Sequence, residues 1–172
     1  GEEWGKGESP PATAPKPMFI GTNIVKTDAK GRVAVPARHR DRLRDCCASR
    51  VAVTVHPKGR PCLWMYPWNE WEGVATTVAN LPPLNEQNAR LQHLLLSNAF
   101  EAELDSQGRI LLTPFLRAHA GIDTGSEVAI IGQGRRFEIW QSESWNAVNA
   151  DYFAALSEPG SELSDDLQNL LL

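Results

Sequence analysis

The sequence lacks any apolar run that approaches the roughly 20 residues needed to span a bilayer. It also lacks the charged start, apolar middle and small-residue cleavage site that together mark a signal peptide. The P-loop, GxSxG, HExxH and GxGxxG motifs are absent as well, and no nucleophile stands beside an evident general base. These absences predict a cytoplasmic protein with no membrane partner and no enzymatic activity.

Cysteine and histidine are scarce, which limits the covalent and metal chemistry open to the chain. The three cysteines are an odd number, and their spacing fits neither a disulfide framework nor a zinc site. The four histidines offer no pair at the spacing of metal ligands on a helix. We therefore expect no metal and no cofactor, and reduced, mostly buried thiols at Cys46, Cys47 and Cys62.

Positive charge is also in short supply, since the 172 residues carry a formal net charge of -4. The balance is nevertheless uneven along the chain. Residues 18–60 contain ten Lys and Arg against three acidic residues, or +7, and the rest of the chain sums to -11. A basic unit joined to an acidic remainder predicts a soluble protein that presents one face to a polyanion such as nucleic acid.

The sequence does contain one motif that occurs twice. DAKGRVAVPARHRDRL begins at Asp28, and DSQGRILLTPFLRAHAGI begins at Asp105. Each copy has an Asp four residues before an Arg, a Gly directly before that Arg, a run of β-favouring aliphatic residues and then a Pro that opens a short helix. Later parts of the unit recur as CLWMYPWNEWEGV and FEIWQSESWNAV. Two copies predict a duplicated small domain packed about a pseudo-two-fold axis.

Short strands and short helices, in the same order in each copy, predict an α+β fold in which both copies share a small barrel-like sheet with flanking helices. Before the first turn we expect two strands, a short one from Phe19 and another over Ile24–Thr27, and after it a helix over Ala37–Arg44. The expected divisions are a disordered extension (1–17), a first repeat (18–80), a linking helix (81–99), a second repeat (100–150) and a helical tail (151–172) with Leu163, Leu167 and Leu170 in an apolar stripe.

Each DxxG segment suits a type I turn, with Asp in the first position and Gly in the fourth. An Arg directly after such a turn projects from a β-ribbon, and its guanidinium can donate two hydrogen bonds to a guanine in the major groove. Asp28 would hold the guanidinium plane of Arg32. Phosphate contacts would then come from the neighbouring basic residues, namely Lys26, Lys30, Arg38, Arg40, Arg42 and Arg44.

Other interpretations of these residues stay open. An Asp and an Arg four residues apart can form a purely structural salt bridge, and this interpretation is favoured for Asp28 and Asp105. For Arg109, which is flanked by Gln, Leu and Thr, a structural and a DNA-binding role both stay open. Asp28 and Asp105 could instead pair as two carboxylates across the pseudo-two-fold axis. The Trp and Tyr residues could stack on bases, but their amphipathic spacing favours core or subunit-interface packing.

Four segments carry a family resemblance: MFIGTNIVKTDAKGRVAVPARHRDRL, PCLWMYPWNEWE, RLQHLLLSNAFEAELDSQGRILLTPFLRAHAGI and LSDDLQNLLL. Over Met18–Leu172 they closely resemble the bacterial MraZ family. The resemblance implies tandem swapped-hairpin, AbrB-like half-domains and a homo-oligomeric ring, an octamer or dodecamer. It also implies a nucleoid-associated transcriptional regulator, usually a repressor of the division and cell wall gene cluster to which its own gene belongs, which binds short direct repeats in the double-stranded DNA upstream.

The resemblance carries over a DNA-reading role for the first motif, which comprises Asp28, Lys30, Gly31 and Arg32. The second motif, Asp105 to Arg109, carries over more weakly because it lacks the Lys. A different class of function stays open beside this one. The chain could be an oligomeric protein-binding or assembly module whose basic patch gives it only generic affinity for nucleic acid.

Overall fold

The computed structural model describes residues 18–172, and the predicted extension at 1–17 lies outside this range. The first copy of the unit forms β1 (Phe19–Lys26), β2 (Arg32–Ala34), α1 (Ala37–Cys47), β3 (Arg50–Val55), β4 (Leu63–Pro67), α2 (Trp68–Ala79) and α3 (Glu86–Ser97). The second forms β5 (Phe100–Glu103), β6 (Arg109–Leu111), α4 (Pro114–Ala120), β7 (Glu127–Gly134), β8 (Phe137–Gln141), α5 (Ser142–Ala155) and α6 (Asp165–Leu171). The predicted α+β class is confirmed. Within 18–172, no helix is long and apolar enough to cross a membrane.

The two copies exchange strands. A six-stranded antiparallel sheet has the order β1-β7-β8-β4-β3-β5, and β2 pairs with β6 in a separate two-stranded ribbon. The first strand of each copy therefore pairs with the other copy, β1 with β7 and β5 with β3. Closure into a small barrel stays a prediction. The exchange brings the two Asp-containing turns, one from each copy, to the same ribbon.

β1 is one strand, so the prediction of two separate strands before the first turn is wrong. It pairs without a break along β7, beginning with Phe19 opposite Gly134. At Gly132 a Cβ would lie 2.5 Å from the backbone nitrogen of Ile20, so glycine permits the close approach of the two strands there. The pairing partner belongs to the other copy of the unit, and for this reason the local sequence of β1 does not reveal its length.

Prolines mark where helices begin. Pro36 and Pro67 directly precede α1 and α2, and Pro114 is the first residue of α4. Proline suits these positions because the first N–H groups of a helix have no intrahelical partner. The end of α1 is less well predicted, since the helix continues past Arg44 to Cys47. The type of these elements thus follows from the sequence more closely than their boundaries.

One hydrophobic core draws on both copies of the unit. It includes residues of the six-stranded sheet, the ribbon, α1 and α4, among them the fully buried Leu43 and Phe137. Tyr66, Trp71 and Trp140 are also buried, with 6%, 6% and 2% of their surface exposed. Burial at this level supports packing rather than base stacking for these three aromatic residues.

The three cysteines are free thiols, and the expectation that they are mostly buried holds only in part. Cys62 is buried, whereas Cys46 and Cys47 are partly exposed. Burial raises the pKa of the Cys62 thiol to about 12. A thiol with so high a pKa stays protonated near neutral pH and is a poor nucleophile.

Buried His39 makes the stability of the fold depend on pH. Its ring lies edge-on to Phe19 and Phe137, with centroid distances of 5.6 and 5.1 Å. Neither ring nitrogen has a hydrogen-bond partner among the described residues. Burial, followed by the positive charges of Arg38 and Arg42, lowers the pKa of His39 from 6.5 to about 4. The imidazole is therefore neutral in the folded protein at neutral pH.

We expect replacement of His39 by leucine to flatten the dependence of unfolding free energy on pH. Because the folded pKa lies below the unfolded one, the unfolded state binds more protons between about pH 4 and 6.5, and stability falls as the pH falls through this window. At about 1.4 kcal/mol per pKa unit, the full loss is about 3 kcal/mol. Urea unfolding at several pH values measures it, with exposed His93→Leu as the control. An unchanged slope in His39→Leu would contradict this assignment.

Candidate nucleic-acid interface

The carboxylate of Asp28 closes the turn in the first copy of the repeated motif. Its Oδ1 accepts hydrogen bonds from the backbone N–H groups of Lys30 and Arg32, each at 2.9 Å. Its Oδ2 accepts one from Nε of Arg32 at 2.7 Å. The N–H of Gly31 donates to the carbonyl of Asp28 at 3.0 Å, as the predicted turn requires. One side chain thus orders both the backbone of the turn and the guanidinium at its end.

Asp105 repeats this geometry in the second turn. Its Oδ1 accepts from the N–H groups of Gln107 and Arg109, and its Oδ2 from Nε of Arg109, all at 2.9 Å. The structural salt bridge that the sequence suggested is therefore present in both copies. Within residues 18–172, the terminal nitrogens of Arg32 and Arg109 have no hydrogen-bond partner. Both guanidinium groups are thus held at one edge and keep their outer donors for a ligand.

The turns keep both carboxylates ionised. Donation by the N–H of Arg32, together with its guanidinium and the N–H of Lys30, lowers the pKa of Asp28 from 3.8 to about 2 against an opposing effect of desolvation. The corresponding donors, with the N–H of Arg109 first, lower the pKa of Asp105. Both carboxylates are therefore ionised throughout the neutral pH range.

The ribbon places the two arginines on one side. Arg32 pairs with Leu111, which lies two residues beyond Arg109 on β6. Arg32 and Arg109 are therefore diagonal neighbours on the same face, with their Cα atoms about 7–8 Å apart. Val33 and Ile110, which alternate with them, point to the opposite face and are buried in the core at 0% and 1% exposure. The outer side of the ribbon thus presents two ordered guanidinium groups, each from a different copy of the unit.

Two more arginines cross from one copy to the turn of the other. Arg117 of α4 lies against the first turn, where a Cβ on Gly31 would be 2.7 Å from its Nε. Arg40 of α1 lies in the same way against Gly108 of the second turn. Each also donates from Nε to a backbone carbonyl just beyond its own ribbon strand. We define the ribbon face as the outer side of the ribbon with both turns and these residues: Lys30, Arg32, Arg40, Arg109 and Arg117.

The sequence did not single out Arg117, and it placed Arg40 only among six predicted phosphate contacts. A signal was nevertheless present in the repeat. Arg40 follows Asp28 by twelve residues, and Arg117 follows Asp105 by twelve. Equivalent arginines in a duplicated unit indicate equivalent positions, and the exchange of strands carries each to the opposite turn.

Apart from Lys30 and Arg40, the predicted phosphate contacts lie outside the ribbon face. Lys30 is exposed in the first turn, and Lys26 ends β1 opposite Glu127. Apart from Arg40, the α1 arginines contact neighbours elsewhere: Arg38 donates to Asn23 Oδ1 at 2.6 Å, Arg42 to the carbonyl of Met18, and Arg44 forms ion pairs with Asp41 and Asp45. The structure thus brings together the predicted Asp28, Lys30, Gly31, Arg32, Asp105 and Arg109, and directs Arg38 towards β1.

Known proteins resemble this chain over most of its length. The family described as "MraZ protein, putative antitoxin-like" matches residues 18–94 and 95–166. Proteins named "Transcriptional regulator MraZ" from Pseudomonas putida (strain W619) and Pseudomonas entomophila (strain L48) are each 44% identical over 155 residues, 90% of this chain and 100% of each relative. A solution structure of PHS018 from Pyrococcus horikoshii matches 69% of this chain and 94% of its own length at 12% identity, with a TM-score of only 0.33. The chain therefore belongs to the MraZ family and is a transcriptional regulator rather than an enzyme.

Proposed function

We propose that this protein is a repressor that binds double-stranded DNA sequence-specifically through its ribbon face. Its targets are direct repeats upstream of the division and cell wall gene cluster that contains its own gene, and it acts in the cytoplasm at the nucleoid as a ring of identical subunits, an octamer or dodecamer. The observation that carries the proposal is the placement of Arg32 and Arg109 on one side of a two-stranded ribbon, each fixed by its own Asp.

The ribbon has suitable dimensions for base reading. The major groove is about 12 Å wide and admits a two-stranded β-ribbon. Two arginines about 7–8 Å apart on its outer side can reach neighbouring base pairs from a single ribbon. Because Asp28 and Asp105 hold Nε, the outer nitrogens are free to donate to O6 and N7 of guanine. Less rotamer freedom is lost on binding, since each guanidinium is ordered beforehand.

The other basic residues serve as phosphate contacts in this proposal. Lys30 lies in the first turn and Lys26 precedes it, and Arg117 and Arg40 lie against the two turns. Such contacts position a protein on the duplex but do not themselves distinguish sequences. Arg38, which is directed towards β1, is proposed as a further phosphate contact outside the ribbon face.

A ring reconciles this role with the chain's net charge of -4. One ribbon face repeated around a ring can bind several DNA repeats at once, and avidity can raise apparent affinity about 100-fold or more without a new contact. We also propose that the exchanged strands form the AbrB-like swapped-hairpin barrel, with repeats at 18–80 and 100–150, the linking helix at 81–99 and the tail at 151–172.

A reporter gene placed behind the DNA upstream of the protein's own gene tests this function. Expression of the wild-type protein is expected to lower reporter output, and scrambling the repeats is expected to restore it. Unchanged output with intact repeats would contradict the repressor role, and increased output would replace repression with activation.

The assembly module is the second candidate, favoured by one observation. The leucines of the tail, among them Leu170 at 78% and Leu172 at 99% exposure, form an apolar surface outside the core clusters of residues 18–172. In that case the ring would be the function, and the basic residues would bind any DNA equally. Specific and generic binding differ in the affinity ratio between cognate and scrambled DNA at matched salt.

A further inference from the structure

An apolar groove follows α5 along most of its length. Its floor is a helical stripe with i, i+3, i+4 spacing: Ser144, Ala147, Val148, Asp151, Tyr152 and Ala155. The hairpin between β3 and β4 forms one wall through Arg60, and the groove encloses about 580 Å³. Tyr152 is 58% exposed within it. An open apolar groove can receive the apolar face of a partner helix.

The first copy of the unit shows what covers the equivalent stripe. α2 has Val74 and Val78 where α5 has Val148 and Tyr152, 74 residues later. In that copy α3 packs against α2, and Val74 of α2 and Leu96 of α3 both pack against the cluster that contains Trp71. The side chain of Gln92 also donates to the carbonyl of Val78 at 3.1 Å. As a result Val78 is only 6% exposed, whereas its counterpart Tyr152 is open.

The covering helix has a copy as well. α3 contains LQHLLL at 91–96, and the chain ends in LQNLLL at 167–172. This second segment forms α6, whose Leu167, Leu170 and Leu171 are 45%, 78% and 65% exposed. The second copy of the unit therefore has both the groove and the helix that would fill it. In a single chain, both surfaces stay open.

We propose that α6 of a second copy of this chain occupies the α5 groove in the way that α3 covers α2. After α2 the chain turns back on itself over residues 80–85, but after α5 it continues through 156–164 and leaves α6 exposed. Each subunit thus offers one helix and one groove to different neighbours. The groove contains one cation, Arg60 in its wall, and one anion, Asp151 in its floor. Docking therefore places the first turn of α6, with Asp165 and Asp166, at the Arg60 wall.

Such a contact is head-to-tail, and head-to-tail contacts generate a ring when the rotation closes. The inference rests on the homo-oligomer of the proposed function and states what joins its subunits. It does not involve the ribbon face. The DNA contact and the subunit contact can therefore fail independently.

Two full-length variants test the contact by light scattering after size exclusion. Leu167→Asp with Leu170→Asp alters the helix, and Ala147→Arg fills the groove at an exposed position of α5. Each variant is expected to fall from the wild-type mass to that of a single chain. Leu84→Asp, at a leucine that is 97% exposed outside both surfaces, is the matched control and should keep the wild-type mass.

Mixing the two variants provides the decisive arm. The helix variant keeps an intact groove and the groove variant keeps an intact α6, so a 1:1 mixture is expected to form a two-chain complex that cannot grow further. A mixture that stays at the mass of one chain would overturn the proposal in favour of docking within the chain. Variants that keep the wild-type mass would also overturn it, because the ring would then form without this contact. A wild-type protein with the mass of a single chain would contradict both the contact and the ring, and DNA binding by the ribbon face would then be measured separately.

Discussion

Replacement of Arg32 by alanine is expected to weaken binding to the protein's own upstream repeats while the chain stays folded and oligomeric. A bidentate contact to a guanine is worth about 1–3 kcal/mol, which is about 5- to 150-fold in affinity for each ribbon. The loss should fall mainly on cognate DNA, because a phosphate contact alone would be lost equally from every sequence. Fluorescence anisotropy with cognate and scrambled duplexes at one salt concentration measures both effects.

Arg90→Ala is the matched control for this variant, since it removes the same charge from an exposed position on α3. It should leave the ratio of the two affinities unchanged. Arg109→Ala should reduce the ratio by less than Arg32→Ala, because Gln107 replaces the basic Lys30 in the second turn. If Arg32→Ala lowers affinity for both duplexes by one common factor, Arg32 is a phosphate contact and not a reader.

Gly31→Ala is expected to impair DNA binding as severely as the loss of Arg32. The backbone at Gly31 has a φ of +83°, where a Cβ costs about 1–2 kcal/mol. The added Cβ would also lie 2.7 Å from Nε of Arg117 and displace that guanidinium from the turn. A shifted turn misplaces Arg32, whose N–H and Nε both depend on Asp28. The expected result is loss of most of the preference for cognate DNA together with a lower melting temperature.

Gly59→Ala separates the two effects of that substitution. Gly59 has a similar φ of +72°, but a Cβ there would have nothing within 4 Å. Both variants should lose stability through the strained backbone, Gly31→Ala somewhat more because of its clash with Arg117, and only Gly31→Ala should lose DNA preference. Equal DNA binding by the two variants would show that the contact between the first turn and Arg117 has no part in reading.

The repeated motif was enough to predict the class of the fold and the order of its elements, because hydrophobic periodicity and turn residues can be recognised within a short stretch of sequence. Strand pairing is not local. The pattern of β1 would suit a partner within its own copy as well as β7, and only the folded chain selects β7. The continuity of β1 could not be predicted for the same reason.

In the candidate site too, the local contacts could be predicted from the sequence and the contacts between distant residues could not. The Asp–Arg turn was predictable because the hydrogen bonds of Asp28 reach no further than four residues along the chain. Arg117 lies against a turn that precedes it by more than 80 residues, and its position depends on the exchange of strands. The arginines of α1 looked equivalent in the sequence, but the direction of each side chain from the helix sends Arg40 to the second turn and Arg38 to β1.

Sequence-specific reading by the ribbon face is tested most directly by the affinity of the wild-type protein for its own upstream repeats and for a scrambled duplex of equal length, at matched salt concentrations. We expect tighter binding to the repeats by about 1,000-fold or more, the lower end for specific DNA-binding proteins, with a ratio that persists as rising salt weakens both complexes. Equal affinity for the two duplexes at every salt concentration would contradict sequence-specific reading by the ribbon face and favour the assembly module.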